Sequence, residues 1–155
     1  MDLAETLRGE LVKHLPLPEA LVLPGEMPII DAIHKMEEAK RGCILVGEDG
    51  KLHGLVSEKD VLVKYIGKGL PDSMPVRDIM SSRPERLSPD DTVGKVIEVM
   101  ARGGYRHVPL TDSDGTIVGM VSARDIVSFI VEHFPAEVVN LPPTPDQKMV
   151  SPEGA

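Results

Sequence analysis

Residues 54–66, GLVSEKDVLVKYI, recur without a gap at residues 119–131 as GMVSARDIVSFIV, an offset of 65 in a chain of 155 residues. Gly54, Ser57 and Asp60 in the first copy stand where Gly119, Ser122 and Asp125 stand in the second. A repeat has to be read before any single element, because overlooking it misassigns the whole fold. Just upstream, EDG at 48–50 matches SDG at 113–115 at the same offset, each between two short apolar runs, which signals a hairpin. Further upstream the offset falls to 64. There Ile29, Ala32, Ile33 and Met36 match Val93, Val96, Ile97 and Met100, both sets spaced i, i+3, i+4, i+7 as one buried helix face. The one-residue slip is expected between Glu37 and Lys40 against Ala101 to Gly104, in a helix-to-strand loop. Downstream of the motif, Val61, Leu62, Tyr65 and Ile66 match Ile126, Val127, Ile130 and Val131 on a closing helix. The unit therefore reads helix, strand, hairpin, strand, helix, twice over.

One unit of roughly 60 residues buries too little surface to be comfortable alone, so two units packed about a pseudo-twofold are expected. The reading places an N-terminal helix at 1–15, repeat 1 at 16–70, repeat 2 at 71–134 and a proline-rich tail at 135–155. Linker candidates are GKGLPDSMP at 67–75 and PLPEALVLPGEMP at 16–28. Leu3, Leu7, Leu11 and Leu15, four residues apart, predict one amphipathic helix over 2–15 that covers exposed core. The tail holds five of the 14 prolines and reads as an extended segment, packed along the surface or mobile.

Composition narrows the function classes. A hydrophobic fraction of 41% with 27% charged residues is that of an ordinary globular chain with a packed core. The net charge of −8 opposes a phosphate-backbone partner, and 3% aromatic residues without Trp remove the stacking platforms of single-strand binders, so nucleic acid is not expected. The single cysteine, Cys43, cannot form an internal disulfide and sits in the apolar run CILV, which reads as a buried thiol in a reducing compartment, the cytoplasm. No stretch has the roughly 18 apolar residues of a membrane span, and MDLAETLRGELVKHL is too charged for a signal peptide.

The doubled Gly-x-x-Ser-x-x-Asp motif admits two accounts. Structurally, Ser at N-cap and Asp at N3 form a capping box that satisfies the orphan amides of a helix start. Functionally, the same helix start offers free amides and the positive dipole end to an anion. The Asp carboxylate, acceptor-only, suits the cis-diol of a ribose, and the preceding Gly lets a ligand approach the backbone. Basic residues gather nearby despite the acidic total: Lys59 in SEKD, Arg124 in SARD, and Arg41 or Arg106 with His107 opening each hairpin strand. Any one of them alone reads as a solvated surface charge. Aligned by sequence, His107 stands against Gly42, so the second copy is the better equipped for phosphate.

With these residues in view, the chain resembles a tandem pair of CBS domains, the arrangement called a Bateman module. The resemblance is carried by GLVSEKD at 54–60, GMVSARD at 119–125 and VRDIMSSRPERLSPDDTVGKVIEVMARGGYRHVPLTDSDG at 76–115, and it spans about residues 16–134. It implies an α+β fold of two β-α-β-β-α units related by a pseudo-twofold, with two clefts for AMP, ADP, ATP or a related adenosyl ligand. By that resemblance Asp125 and Ser122 serve one cleft and Asp60 and Ser57 the other. Arg124, Arg106 and His107, with Lys59 in the first copy, would face phosphate, and the backbone near Leu23 and Leu87 would frame the adenine. The first repeat departs from the pattern, with MPIIDAI in place of a capped start such as SPDDTV and Gly42 in place of the histidine, which weakens phosphate binding there.

Three function classes follow. The first is a non-catalytic sensor that binds an adenosine nucleotide between the repeats and signals to a separate effector protein by a change of shape or assembly. The second is a homodimeric interaction scaffold with vestigial, empty clefts, held by apolar helix faces. The third, a nucleotide hydrolase, ranks last, because neither a general base nor a metal cluster stands out. The histidines at 14, 34, 53, 107 and 133 lack close metal-ligand spacing, so the only metal expected is magnesium brought by a nucleotide. Cys43 has no neighbouring His in sequence and the motif serines are explained by capping, so no activated nucleophile is visible. Eight Met are core filler.

Overall fold

Ser57 and Ser122 end a strand and open a helix in the same way. Each holds an extended backbone, at φ −102° and φ −111°, and completes a capping box with Asp60 or Asp125. The apolar alternation before each serine forms the strands Lys51–Ser57 (β3) and Ile117–Ser122 (β6), which pair antiparallel with Cys43–Glu48 (β2) and His107–Thr111 (β5). The computed structural model describes residues 2–134, so the proline-rich tail lies outside the described residues.

The helices Ile29–Ala39 (α2) and Val93–Gly103 (α4) bury the faces expected of them, Ile29, Ala32 and Met36 in one and Val93, Val96 and Met100 in the other. Both end on a left-handed residue, Lys40 at φ 53° and Gly104 at φ 71°. Their caps and the strand starts at Cys43 and His107 are all 64 residues apart, so the helix-to-strand loops are equal in length. This corrects the expected place of the slip. The extra residue sits in the hairpin turn, because Glu48 pairs directly with Lys51 while the second turn runs from Thr111 to Ile117. Surface turns absorb insertions more cheaply than a buried strand can shift register. The structural counterpart of His107 is therefore Cys43, and that of Arg106 is Gly42.

In the first unit a four-stranded sheet runs β1-β2-β3-β4, with Val22–Leu23 (β1) parallel to β2 and Ser81–Ser82 (β4) antiparallel to β3. The second unit has the β5–β6 pair and a parallel bridge from Leu87 to Leu110 at the place of β1. The hairpins meet near the pseudo-twofold at a Lys51–Thr116 bridge, where Ile117 N–H donates to Gly50 C=O at 2.7 Å. Cys43, Leu45, Leu52 and Met120 fill the space between the sheets.

Each unit is completed by the chain that precedes the other. Val12 and Leu15 pack into the core of Val93, Val96, Val108 and Phe129, while Val76 and Ile79 pack into the core of Ile29, Ile44, Val56 and Tyr65. The 3-10 turns Val12–His14 and Val76–Asp78 are 64 residues apart, as are the amide bonds Val12 N–H to Asp91 C=O at 2.9 Å and Val76 N–H to Met27 C=O at 2.7 Å. The helix expected over 2–15 is shorter for this reason. It runs from Leu3 to Gly9 (α1), capped by Asp2, and the backbone turns extended at Glu10 so that Leu11 can bridge Thr92.

The closing helices differ. Ala123–His133 (α5) is a regular α-helix, whereas Glu58–Asp60 (α3) passes into π-helical turns over Val61–Ile66, with Gly67 N–H bonded to Leu62 C=O at 2.8 Å. The motif glycines differ as well. A Cβ on Gly54 would lie 2.6 Å from Met80 Sδ and 2.7 Å from the Ser81 carbonyl, whereas on Gly119 its nearest neighbour is 3.8 Å away. The contrast arises because β4 lies against β3, whereas the matching residues beside β6 are Leu17 and Pro18, and proline cannot donate to a ladder. Gly54→Ala should destabilise the protein by about 1–3 kcal/mol, as overpacking does, and Gly119→Ala by less, read as denaturation midpoints.

Candidate functional site

Both capping boxes use one carboxylate oxygen. Asp125 Oδ2 accepts from Ser122 N–H at 2.8 Å and from its hydroxyl at 2.9 Å, and Asp60 Oδ2 does the same with Ser57 at 2.9 and 3.1 Å. The structural account of the motif is thus correct for both copies, and the difference between them lies at the second oxygen. Asp60 Oδ1 is paired with Lys64 Nζ at 3.1 Å, and that ammonium also donates to the Ile79 carbonyl at 3.3 Å. Phe129 stands at the place of Lys64 in α5. Among the described residues Asp125 Oδ1 accepts no hydrogen bond and forms no ion pair.

Asp125 opens onto a cavity of about 890 Å³ between the two units. Ser122, Arg124, Arg106 and His107 line it with Asp125, so five of the residues singled out by sequence share one wall. The first repeat contributes Arg41, Gly42, Cys43 and Glu58. The floor is apolar, from Met36, Val61, Leu62 and Met120, and the segment Pro18–Ala20 closes one side. Arg41 Nη2 donates to the Glu19 carbonyl at 2.9 Å, which ties that segment to the start of β2. A volume of this size is in the range of small-molecule sites, which combine apolar walls with a few convergent polar groups.

The other residues expected at a site lie elsewhere. Ser57, Lys59 and Asp60 are not on the cavity wall, although their neighbours Glu58, Val61 and Leu62 are. Leu23 is only 5% exposed, packed in the core of the first unit, and Leu87 packs against the second core. Glu58 and the Pro18–Ala20 segment are cavity residues that sequence reasoning did not select, whereas Arg41 was noted among the basic residues near the motif. The only signal for Glu58 was its difference from Ala123 at the matching position.

Burial pushes the His107 imidazole below its ordinary value of 6.5. Arg106 adds to that fall, and Asp125 and Glu58 oppose it. His107 is therefore neutral at pH 7, able to donate from one ring nitrogen and accept at the other. Burial, with Asp60 nearby, pushes the Cys43 thiol up to about 12, so it carries no thiolate and packs as a small apolar group. Among the described residues no group of three His, Cys, Asp or Glu side chains is placed to hold a metal ion, and no helix is long and apolar enough to cross a membrane.

One comparison fixes the family. The CBS domain family matches residues 12–67 and again 76–132, and the chain belongs to that family as a tandem pair. An uncharacterised Methanopyrus kandleri protein is 30% identical over 100 residues, which cover 63% of this chain and 51% of that one. An Arabidopsis thaliana CBS domain-containing protein, CBSCBSPB5, is 28% identical over 129 residues, 79% of this chain and 24% of that one. The chain thus spans about half the length of the first of these relatives and about a quarter of the second. Among solved structures, the CBS domain NE2398 superposes with a TM-score of 0.73 at 25% identity, covering 79% of this chain and 98% of the other. A Pyrobaculum aerophilum CBS domain protein complexed with AMP gives 0.71 at 23%, covering 79% and 96%. The CBS domain pair of MJ0100, complexed with 5-methylthioadenosine and S-adenosyl-L-methionine, gives 0.69 at 22%, covering 77% and 98%.

Proposed function

We propose that this chain is a non-catalytic regulatory module that binds an adenosine nucleotide in the cavity between its repeats and passes the occupied state to an effector protein. The observation that carries this is the free Oδ1 of Asp125, at the start of an eleven-residue helix and on the wall of a cavity of about 890 Å³ shared with two arginines and a neutral histidine. Asp125 accepts from the ribose hydroxyls while its other oxygen stays in the capping box. The phosphate sits at the positive end of α5, whose Ala123 and Asp125 amides are already engaged, on the side chains of Arg106, Arg124 and His107, and the adenine packs on the apolar floor. The AMP complex of the Pyrobaculum protein and the adenosyl ligands of the MJ0100 pair support an adenosine ligand. Magnesium plays no part beyond what a nucleotide carries in, and the module acts in the cytoplasm.

Asp60, held by Lys64, is already neutralised, so one nucleotide binds per chain. Equilibrium titration with AMP, ATP and S-adenosylmethionine tests the reading directly: no binding of any of them removes it.

His107 gives the unliganded protein a pH dependence. Its folded value lies below the unfolded one, so the unfolded chain takes up the proton first. Stability is then fully present above about 6.5 and falls as pH drops through that value toward the lower folded one. Thermal melts from pH 7.5 to 5 should show this decline, and His107→Gln should make it shallower.

An apolar stripe runs on both closing helices, where Ile66 is 60% and Val131 41% exposed at matching positions, beside Leu62 at 61% and Val127 at 58%. We assign it to a homodimer contact. Sedimentation should show a dimer that Ile66→Glu with Val131→Glu turns into a folded monomer, and a variant that stays dimeric would move the interface elsewhere.

A further inference from the structure

The two repeats put opposite charges at one equivalent place. In the second unit Ala123 N–H donates to the Arg106 carbonyl at 2.8 Å, so an arginine is paired with a residue that carries only a methyl group. In the first, Glu58 N–H donates to the Gly42 carbonyl at 3.0 Å, so a carboxylate stands beside a residue without a side chain. A Cβ on Gly42 would meet Glu58 Oε1 at 2.6 Å, which places the carboxylate over the Gly42 backbone. Gly42 is thus the residue that makes room for Glu58. Both Glu58 and Arg106 line the one cavity.

The consequence is electrostatic. Asp125 is committed to the sugar, and Arg106 and Arg124 stand on the second unit's side to receive a phosphate. A longer phosphate chain brings further negative charge into the same cavity, where the first unit carries both signs, Lys40 and Arg41 with Glu37 and Glu58. Arg41 is turned to the Glu19 carbonyl, and Glu58 is the carboxylate at the position that mirrors Arg106 and acts on His107. Glu58 is exposed, so solvent moderates its repulsion of a phosphate, but the energy still grows with each added negative charge. We propose that Glu58 is a specificity-determining residue that makes the cavity favour an adenosine ligand with a single phosphate and reject one with a triphosphate.

This rests on the nucleotide-binding reading above, and the test separates the two. AMP and ATP are titrated calorimetrically, without magnesium, into the full chain and into Glu58→Gln and Glu58→Ala, the second copying the residue of the other repeat. The wild-type protein should bind AMP more tightly than ATP. Both variants should narrow that ratio by about tenfold, the effect of roughly one unit charge near the extra phosphates. A ratio that stays within about twofold in both folded variants overturns the role of Glu58 and leaves nucleotide binding intact. Wild-type protein that binds ATP as tightly as AMP also overturns it, and wild-type protein that binds neither removes both.

Discussion

Asp125→Ala should abolish nucleotide-induced stabilisation. A ligand at about 100 times its dissociation constant adds roughly 2.7 kcal/mol to the folded state, which for a chain of this size raises the melting temperature by about 5–11 °C. The variant loses the ribose acceptor and, with it, nearly all of that increment. It also loses the capping box, which lowers the melting temperature of the unliganded protein by about 1 kcal/mol worth of stability. The quantity to compare is therefore the increment on adding AMP. Asp60→Ala is the matched control. It breaks the equivalent box and frees Lys64, so it carries a similar structural cost, yet it should keep the AMP increment. Equal loss in both variants would mean that the motif aspartates act only through capping.

Leu45→Ala should be among the most damaging single substitutions. Leu45 is fully buried in β2 and faces the layer between the two sheets, against Cys43, Leu52 and Met120. Truncating a buried leucine costs about 2–5 kcal/mol, a large part of the 5–15 kcal/mol that holds a typical domain together. Because this layer joins the units and each unit is finished by a segment preceding the other, the loss should lower one calorimetric transition for the whole protein. Two separate transitions, with only one of them shifted, would contradict the shared core.

The repeat was legible because sameness survives in sequence. The motif, the helix faces and the hairpins each recurred at a fixed spacing, and five of the residues they nominated share the cavity wall. Two kinds of feature were not legible in this way. One is the pairing of Val12 and Leu15 with Val76 and Ile79, also 64 residues apart. LVKHL at 11–15 and PVRDI at 75–79 hold the signal, but a single 3-10 turn is too short to show a period, and the four-residue leucine spacing suggested a longer helix. The other is the difference between the copies. The ion pair of Lys64 with Asp60 is a local i,i+4 pair that alignment of one repeat on the other treats as mere mismatch with Phe129, and the placement of Glu58 over Gly42 depends on tertiary geometry. The slip shows the same limit: with identities on both sides, only the strand registers reveal that the extra residue is in the turn, and with it that Arg106 is the counterpart of Gly42.

The chain co-crystallised with AMP tests the central claim most directly. The account predicts a single nucleotide per chain, its ribose hydroxyls on Asp125 Oδ1 and its phosphate at the start of α5 between the side chains of Arg106 and Arg124. AMP seated at Asp60, or a cavity that stays empty at saturating AMP while Asp125 keeps only its bonds to Ser122, would contradict it.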